Sequence, residues 1–337
     1  MSLYRERELD IEVVSYDRIL TYKVGCQATH IFADLDRLSN WQLHEAALLY
    51  RRLKAAGIHV LNDPARFAGR FGLLRGLNRA RINVFDAYRA DSLERPRRWP
   101  VFLRIDGNHG PPVSDLLHNE HELGDAINFA VEQGAPRSTL LIIEYAAEPV
   151  RPGLYRKLSV FRIGDRLLGY TCVHDDNWLV KYGKIGITPP DLYDEEYDCI
   201  ANNPFAEAVK PAFHLAGIEY GRIDFGLFGG RPQIYEINSN PHISLRPKLI
   251  ASQRRIESLA LFRSNYIDAM KAIDFSPRPP WRVRSTSTLR SACTLPARAI
   301  AQVRTALASK LKQPEELQAG DPAASIPTLT DHMKAGF

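Results

Sequence analysis

The chain of 337 residues is long enough for two or three domains, and 45% hydrophobic with 25% charged residues is ordinary globular composition. Its net charge of +5 lies at one end, with eight bases and no acid between Asp274 and Glu315, so residues 1–274 are neutral and no nucleic-acid partner is expected. The opening MSLYRERELD lacks the apolar run of a signal peptide, no stretch could span a bilayer, and Cys26, Cys172, Cys199 and Cys293 form no CxxC pair, so a reduced cytoplasmic protein is expected.

The first sixty residues read as strand, helix, strand: ATHIFADL, then NWQLHEAALLYRRLKAAG with Asn40 as cap and Gly57 as stop, then IHVLND. A second helical stretch, FAGRFGLLRGLNRARI, precedes the strand PVFLRID. The Gly/Pro loop GNHGPPVS leads to a helix predicted to begin near Ser114 or Asp115, and TLLIIEY follows as a strand. LYRKLSVFRIGDRLLGY reads as a hairpin turning at Gly164-Asp165, and NPFAEAVKPAFHLAGIE as a helix ending near Gly217. From residue 275 the Pro-, Ser- and Arg-rich composition suggests a linker. Ile300, Val303, Leu307 and Leu311 then fall at helical spacing among arginines and lysines, a pattern that suits contact with a membrane surface or an acidic partner, or docking on the protein's own body.

The segment RIDFGLFGGRPQIYEINSNPHIS contains two strand-like runs joined by Gly229-Gly230. Symmetric pairing about Gly230 sets Asp224 opposite Glu236 and Arg222 opposite Asn238 on one face. Ile223, Phe225, Tyr235 and Ile237 fall on the other face. Opposed carboxylates repel unless something compensates. A cation between Asp224, Glu236 and the amide oxygen of Asn238 would do so, and an all-oxygen set suits Mg²⁺ or Mn²⁺. The alternative is an ion pair of Asp224 with Arg222, leaving Glu236 in water.

RIDFG followed by YEINSNP resembles the metal-binding strands of the ATP-grasp superfamily, and the resemblance runs from about Gly57 to Ile243. It implies an α/β architecture of two α+β subdomains, residues 63–274. They would follow a shortened preATP-grasp α/β unit, residues 1–62, and precede a basic tail, residues 275–337. It also implies ATP as cofactor, with Asp224, Glu236 and Asn238 holding magnesium against its phosphates. Arg70 and Arg104 stand where the superfamily usually has lysines that touch the nucleotide. Gly107 and Gly110 belong to a loop that resembles the one closing over phosphates, although the residues by themselves favour a surface turn. Glu144 and Tyr145 match the hinge whose backbone meets adenine, and Glu148 the acid that holds ribose. Lys157 and Lys181 lie in the region that faces the triphosphate or second substrate, Trp178 and Lys181 resembling a WxVK pattern of uncharacterised ATP-grasp sequences. Each lysine alone reads as a solvated surface residue; together with Arg156 and Arg222 they would line the path of a transferred phosphoryl group. The implied reaction is ligation of a small-molecule carboxylate to an amine or thiol through an acyl phosphate. The alternatives are phosphorylation of a hydroxyl, or nucleotide binding without catalysis.

Overall fold

A computed structural model describes residues 8–22, 24–108, 110–181, 183–184, 186–243, 252–274 and 278–282, with side chains at all of these except 22–27 and 278–282. They all belong to one unit, Met1–Val283. The basic linker beyond residue 282, the amphipathic segment after it and His109 of the Gly/Pro loop lie outside the described residues.

In chain order the elements are α1 (Tyr16–Tyr22), β1 (Val24–Gln27), β2 (His30–Ile31), α2 (Asn40–Ala55), β3 (Val60–Leu61), α3 (Gly69–Arg79), β4 (Ala87–Arg89), β5 (Val101–Ile105), α4 (Glu120–Glu132) and β6 (Leu140–Glu144). They continue as β7 (Tyr155–Ile163), β8 (Arg166–Gly169), β9 (Val173–Asp175), α5 (Pro190–Asn202), α6 (Ala206–Ala216), β10 (Tyr220–Phe228), β11 (Arg231–Asn238), α7 (Gln253–Ile273) and β12 (Arg278–Arg282). The protein is therefore of mixed α and β structure, as expected.

The N-terminal unit forms as read, with β2 and β3 parallel and α2 crossing between them. The cap of α2 is Ser39 rather than Asn40: its hydroxyl accepts from Gln42 N while the Gln42 side chain accepts from Ser39 N, which satisfies two end groups reciprocally. Gly57 ends the helix in the left-handed region, φ +76°. The helix expected at Ser114 or Asp115 begins instead at Glu120. Ser114 is drawn back to β5 by the Leu103 N–H, and Asn119 supplies the cap that accepts from Glu122 N. The hairpin at Gly164-Asp165 and the end of α6 at Gly217 fall where expected.

Two sheets carry the rest. β4, β6 and β5 form a three-stranded antiparallel sheet whose Val101, Leu103, Leu140 and Ile142 pack on Leu123 and Ile127 of α4. The larger sheet runs β11-β10-β7-β8, with β9 beside the start of β7. Alternation along β7 and β10 sorts its two faces. Leu158, Val160, Ile223 and Phe225 face the main core with α3 and α6, a core that also takes in Phe32, Leu35 and Leu53 of the N-terminal unit. On the opposite face Phe161 and Ile163 pack under Phe262 and Tyr266 of α7. Further along that same face stand Ser159, Lys157, Arg222 and Asp224, in register Arg222 with Phe161 and Asp224 with Ser159. Among the described residues, no helix is long and apolar enough to cross a membrane.

Candidate active site

The β10–β11 hairpin has the expected register at its open end: Arg222 faces Asn238 and Asp224 faces Glu236. Its turn is made by Gly229 and Gly230, at φ +58° and +71°, a backbone that only glycine adopts freely. One step beyond Asp224 the pairing shifts, setting Phe225 against Ile234, so Tyr235 is the extra residue of a β-bulge. The bulge corrects the expected face of Tyr235. Ile234 takes the core position, and the Tyr235 hydroxyl crosses Gly226, where a Cβ would lie 2.0 Å from it.

Asp224 is only 1% exposed, and the protein's own cations supply the compensation its position demands. Arg222 donates to it through two nitrogens, at 2.6 and 2.9 Å, the Lys157 ammonium lies 3.2 Å from Oδ2, and the Ser159 hydroxyl donates to Oδ1 at 2.9 Å. Burial by itself raises the pKa of this carboxyl; the charges of Arg222 and Lys157, with the hydrogen bonds from Arg222 and Ser159, outweigh it and hold the group below its ordinary value. Across the hairpin Glu236 accepts from Arg70 at 2.9 Å. Arg70 stands in the first turn of α3 and comes close to Arg104 on β5. Burial first, and then the neighbouring Arg70 charge, push the Arg104 guanidinium down to about 10, against the pull of Glu236. Arg104 donates to Gly110 O at 3.0 Å, and its buried Nε has no protein partner.

The arrangement thus sets Arg70, Arg104, Lys157 and Arg222 against two carboxylates, Asp224 and Glu236. The surplus is positive. Four donors already fill the four acceptor directions of Asp224, and Asn238 Oδ1 accepts from Asn240 N at 3.0 Å. As they stand, Asp224, Glu236 and Asn238 therefore do not fit a divalent ion. A surplus of half-buried donors, three of them forked guanidinium groups, fits phosphate or carboxylate oxygens instead.

The other expected residues divide. Lys181 meets the cluster through its carbonyl, which accepts from Lys157 Nζ at 3.0 Å. Gly107 takes φ +71°, Gly110 N donates to Asn108 Oδ1 at 2.7 Å, and Gly110 O accepts from Arg104 at 3.0 Å. The hinge residues depart from expectation. The Glu144 N–H donates to Asp86 O and the Tyr145 N–H to Pro100 O, leaving neither donor for a base edge. The buried Glu144 carboxylate accepts from the N–H groups of Asp86, Arg97 and Arg98 and from the Tyr88 hydroxyl, which makes it a structural hub. Glu148 is drawn to the hairpin turn, where Oε2 accepts from Gly229 N at 3.0 Å. Sequence reasoning missed Ser159, whose alternation with Lys157 was the available signal. It also missed an aromatic group in which Trp178 lies 5.1 Å from Phe102 and 5.5 Å from Tyr145, ring centre to ring centre.

No family model matches the chain, and no curated protein sequence matches it. Solved structures with a similar course include the D-alanine–D-alanine ligase from Bacillus anthracis complexed with ATP, at 12% identity and TM-score 0.39 over 68% of this chain and 77% of that one. The VanG D-Ala:D-Ser ligase from Enterococcus faecalis aligns at 16% identity and TM-score 0.42, over 68% of this chain and 69% of its own. The D-alanine-D-alanine ligase from Coxiella burnetii aligns at 13% identity and TM-score 0.41, over 79% and 69%.

Proposed function

We propose that this protein is an ATP-dependent ligase that activates a small-molecule carboxylate as an acyl phosphate for attack by an amine or a thiol. The observation that carries the reading is the ring of Arg70, Arg104, Lys157 and Arg222 around the paired Asp224 and Glu236. It adds to the likeness of RIDFG and YEINSNP to ATP-grasp strands. A carboxylate oxygen is a poor leaving group. Transfer of the terminal phosphoryl group of ATP to it makes an acyl phosphate and ADP, and attack by the amine or thiol then expels inorganic phosphate with loss of the nucleophile's proton.

No side-chain nucleophile is needed for this chemistry; positioning and charge neutralisation supply it. Arg70 and Arg104 fit the nucleotide phosphates, Arg104 through the Nε that lacks a protein partner. Lys157 and Arg222, held against Asp224, fit the transferred phosphoryl group and the acyl oxygen it activates. As they stand, Asp224, Glu236 and Asn238 leave neutralisation of the phosphate charge to Arg70, Arg104, Lys157 and Arg222.

The test is phosphate release from Mg-ATP by the purified chain, screened against pools of carboxylates with amines and thiols. Release that depends on both partners and yields a ligated product supports the ligase. Release with a phosphorylated product alone makes it a kinase. One observation favours a third outcome, nucleotide binding without turnover: the acceptor directions of Asp224 are all filled. Tight ADP binding with no release across the whole panel would establish it.

A further inference from the structure

We infer that the segment Asn177–Lys181 is a gate on the nucleotide site, with the Trp178 indole seated where a planar base must enter. The inference rests on the nucleotide reading above and adds its regulation.

Phe102 and Arg104 alternate to the same face of β5, while Val101 and Leu103 point into the core beneath. The face that carries Arg104 into the cationic cluster therefore continues to Phe102, one strand step away. Tyr145 follows directly on the neighbouring strand β6. A phosphate-bearing ligand anchored at Arg104 would lay a flat, apolar group along Phe102 and Tyr145. Trp178 already lies there, tilted on Phe102 at 48° and edge-on to Tyr145 at 84°. Phe102 stands on β5 and Tyr145 directly follows the last residue of β6, whereas Trp178 comes from the connection leaving β9.

The same segment also covers the anion end. The Lys181 carbonyl takes a hydrogen bond from Lys157, the lysine that holds Asp224. One short stretch thus occupies both halves of a nucleotide-shaped site. It is held by short-range ties: Asp175 Oδ1 accepts from Asn177 N at 3.2 Å and Asn177 Oδ1 from Leu179 N at 2.9 Å. Space for the displaced ring lies beside it, in an open cavity of about 610 Å³ lined by Pro111, Pro112, Val113, Ser114, Trp178 and Leu179. A site that is open only part of the time binds more weakly in proportion to the open fraction.

The test uses the full chain with ADP and inorganic tripolyphosphate as probes. Trp178→Ala should bind ADP at least about fivefold more tightly than the unaltered protein, while affinity for tripolyphosphate, which has no base, should change by less than about twofold. Hydrogen exchange on the unaltered chain needs no substitution: ADP should speed exchange at the Asn177 and Leu179 amides as their turn is displaced. If the unaltered protein binds ADP but Trp178→Ala binds it equally or more weakly, or if ADP slows exchange at those amides, Trp178 is a stacking platform. The gate is then overturned while the ligase reading stands. If neither protein binds ADP, the nucleotide reading and the gate fall together.

Discussion

Asp224 is held by Arg222, Lys157 and Ser159, which come from two strands that are distant in sequence and adjacent in the sheet. Asp224→Asn would keep the shape but leave two cations buried without their countercharge, and its new N–H₂ would face other donors. Loss of one partner from such a buried pair costs about 3 kcal/mol or more, so the urea midpoint at pH 7 should fall and Mg-ATP turnover should disappear. The pH dependence has a definite sign. The folded pKa is depressed, so its stabilisation is present above the ordinary aspartate value, 3.8, and is lost as the pH falls below that through the folded pKa. The gap between Asp224→Asn and the unaltered protein should therefore narrow only below about pH 4. The two alternating runs around Gly229-Gly230 made the hairpin legible in the sequence, but its turn sets Phe228 against Arg231, a register that alone would put Asp224 opposite Tyr235, and the bulge at Tyr235 is what brings Glu236 there. What neutralises the pair was not legible, because Lys157 and Arg70 reach it through strand order and helix packing rather than spacing.

At the level of elements, α5 is pressed onto β8 at one point with no room for a side chain. A Cβ on Gly169 would lie 2.0 Å from Cys199 O and 2.8 Å from its carbonyl carbon. Both are backbone atoms, so Gly169→Ala must move the helix, and a loss of about 2 to 3 kcal/mol is expected in urea unfolding. Glu196, on the same helix, is 1% exposed, with Oε2 accepting from Cys172 N at 2.7 Å and 3.4 Å from Arg255, while Oε1 has no partner. Burial outweighs Arg255 and the Cys172 hydrogen bond, raising its pKa to about 7 from 4.5. A folded pKa above the unfolded one stabilises the protein fully below the unfolded value, and that stability is lost as the pH rises through the folded value. Relative to Glu196→Gln, the unaltered protein should therefore lose stability between about pH 4.5 and 7, by up to about 3 kcal/mol, read from urea curves at pH 5, 6 and 7.5. Neither contact announces itself in sequence. Gly169 reads as the end of a hairpin strand, and Glu196 as one acid among several in DEEYD. The bulge at Tyr235 is hidden for the same reason: alternation alone sets its face, and no spacing marks the extra residue, whose ring lies 6.3 Å from that of Phe85, centre to centre.

Over the whole molecule, the N-terminal unit shares its core with the strand that carries the site and is also hydrogen-bonded to it by a fully buried side chain, Asn62. Its amide donates to Phe32 O at 3.0 Å and Tyr220 O at 2.8 Å, and its oxygen accepts from Glu219 N and Tyr220 N at 2.8 and 2.9 Å. Its own backbone N–H donates to the Glu219 carboxylate at 3.0 Å. Asn62 sits in the left-handed region, φ +64°, which asparagine tolerates and alanine does not. Two truncations separate the two contributions. Asn62→Gly removes the side-chain bonds and relaxes the backbone, whereas Asn62→Ala removes the same bonds and adds strain. Leaving buried backbone groups at Phe32, Glu219 and Tyr220 without partners should destabilise both by about 3 kcal/mol or more, with alanine worse than glycine by about 1 kcal/mol. Two residues beyond Tyr220 lies Arg222. A joint that only adds stability would leave phosphate release unchanged in whatever fraction of Asn62→Gly remains folded. A joint that sets the hairpin's position would lower turnover in that folded fraction as well, because Arg222 and Asp224 begin where the clamp ends. Measuring release below the unfolding transition, with the folded fraction taken from circular dichroism, decides between them. The close coupling of clamp and cation cluster along β10 predicts the second result.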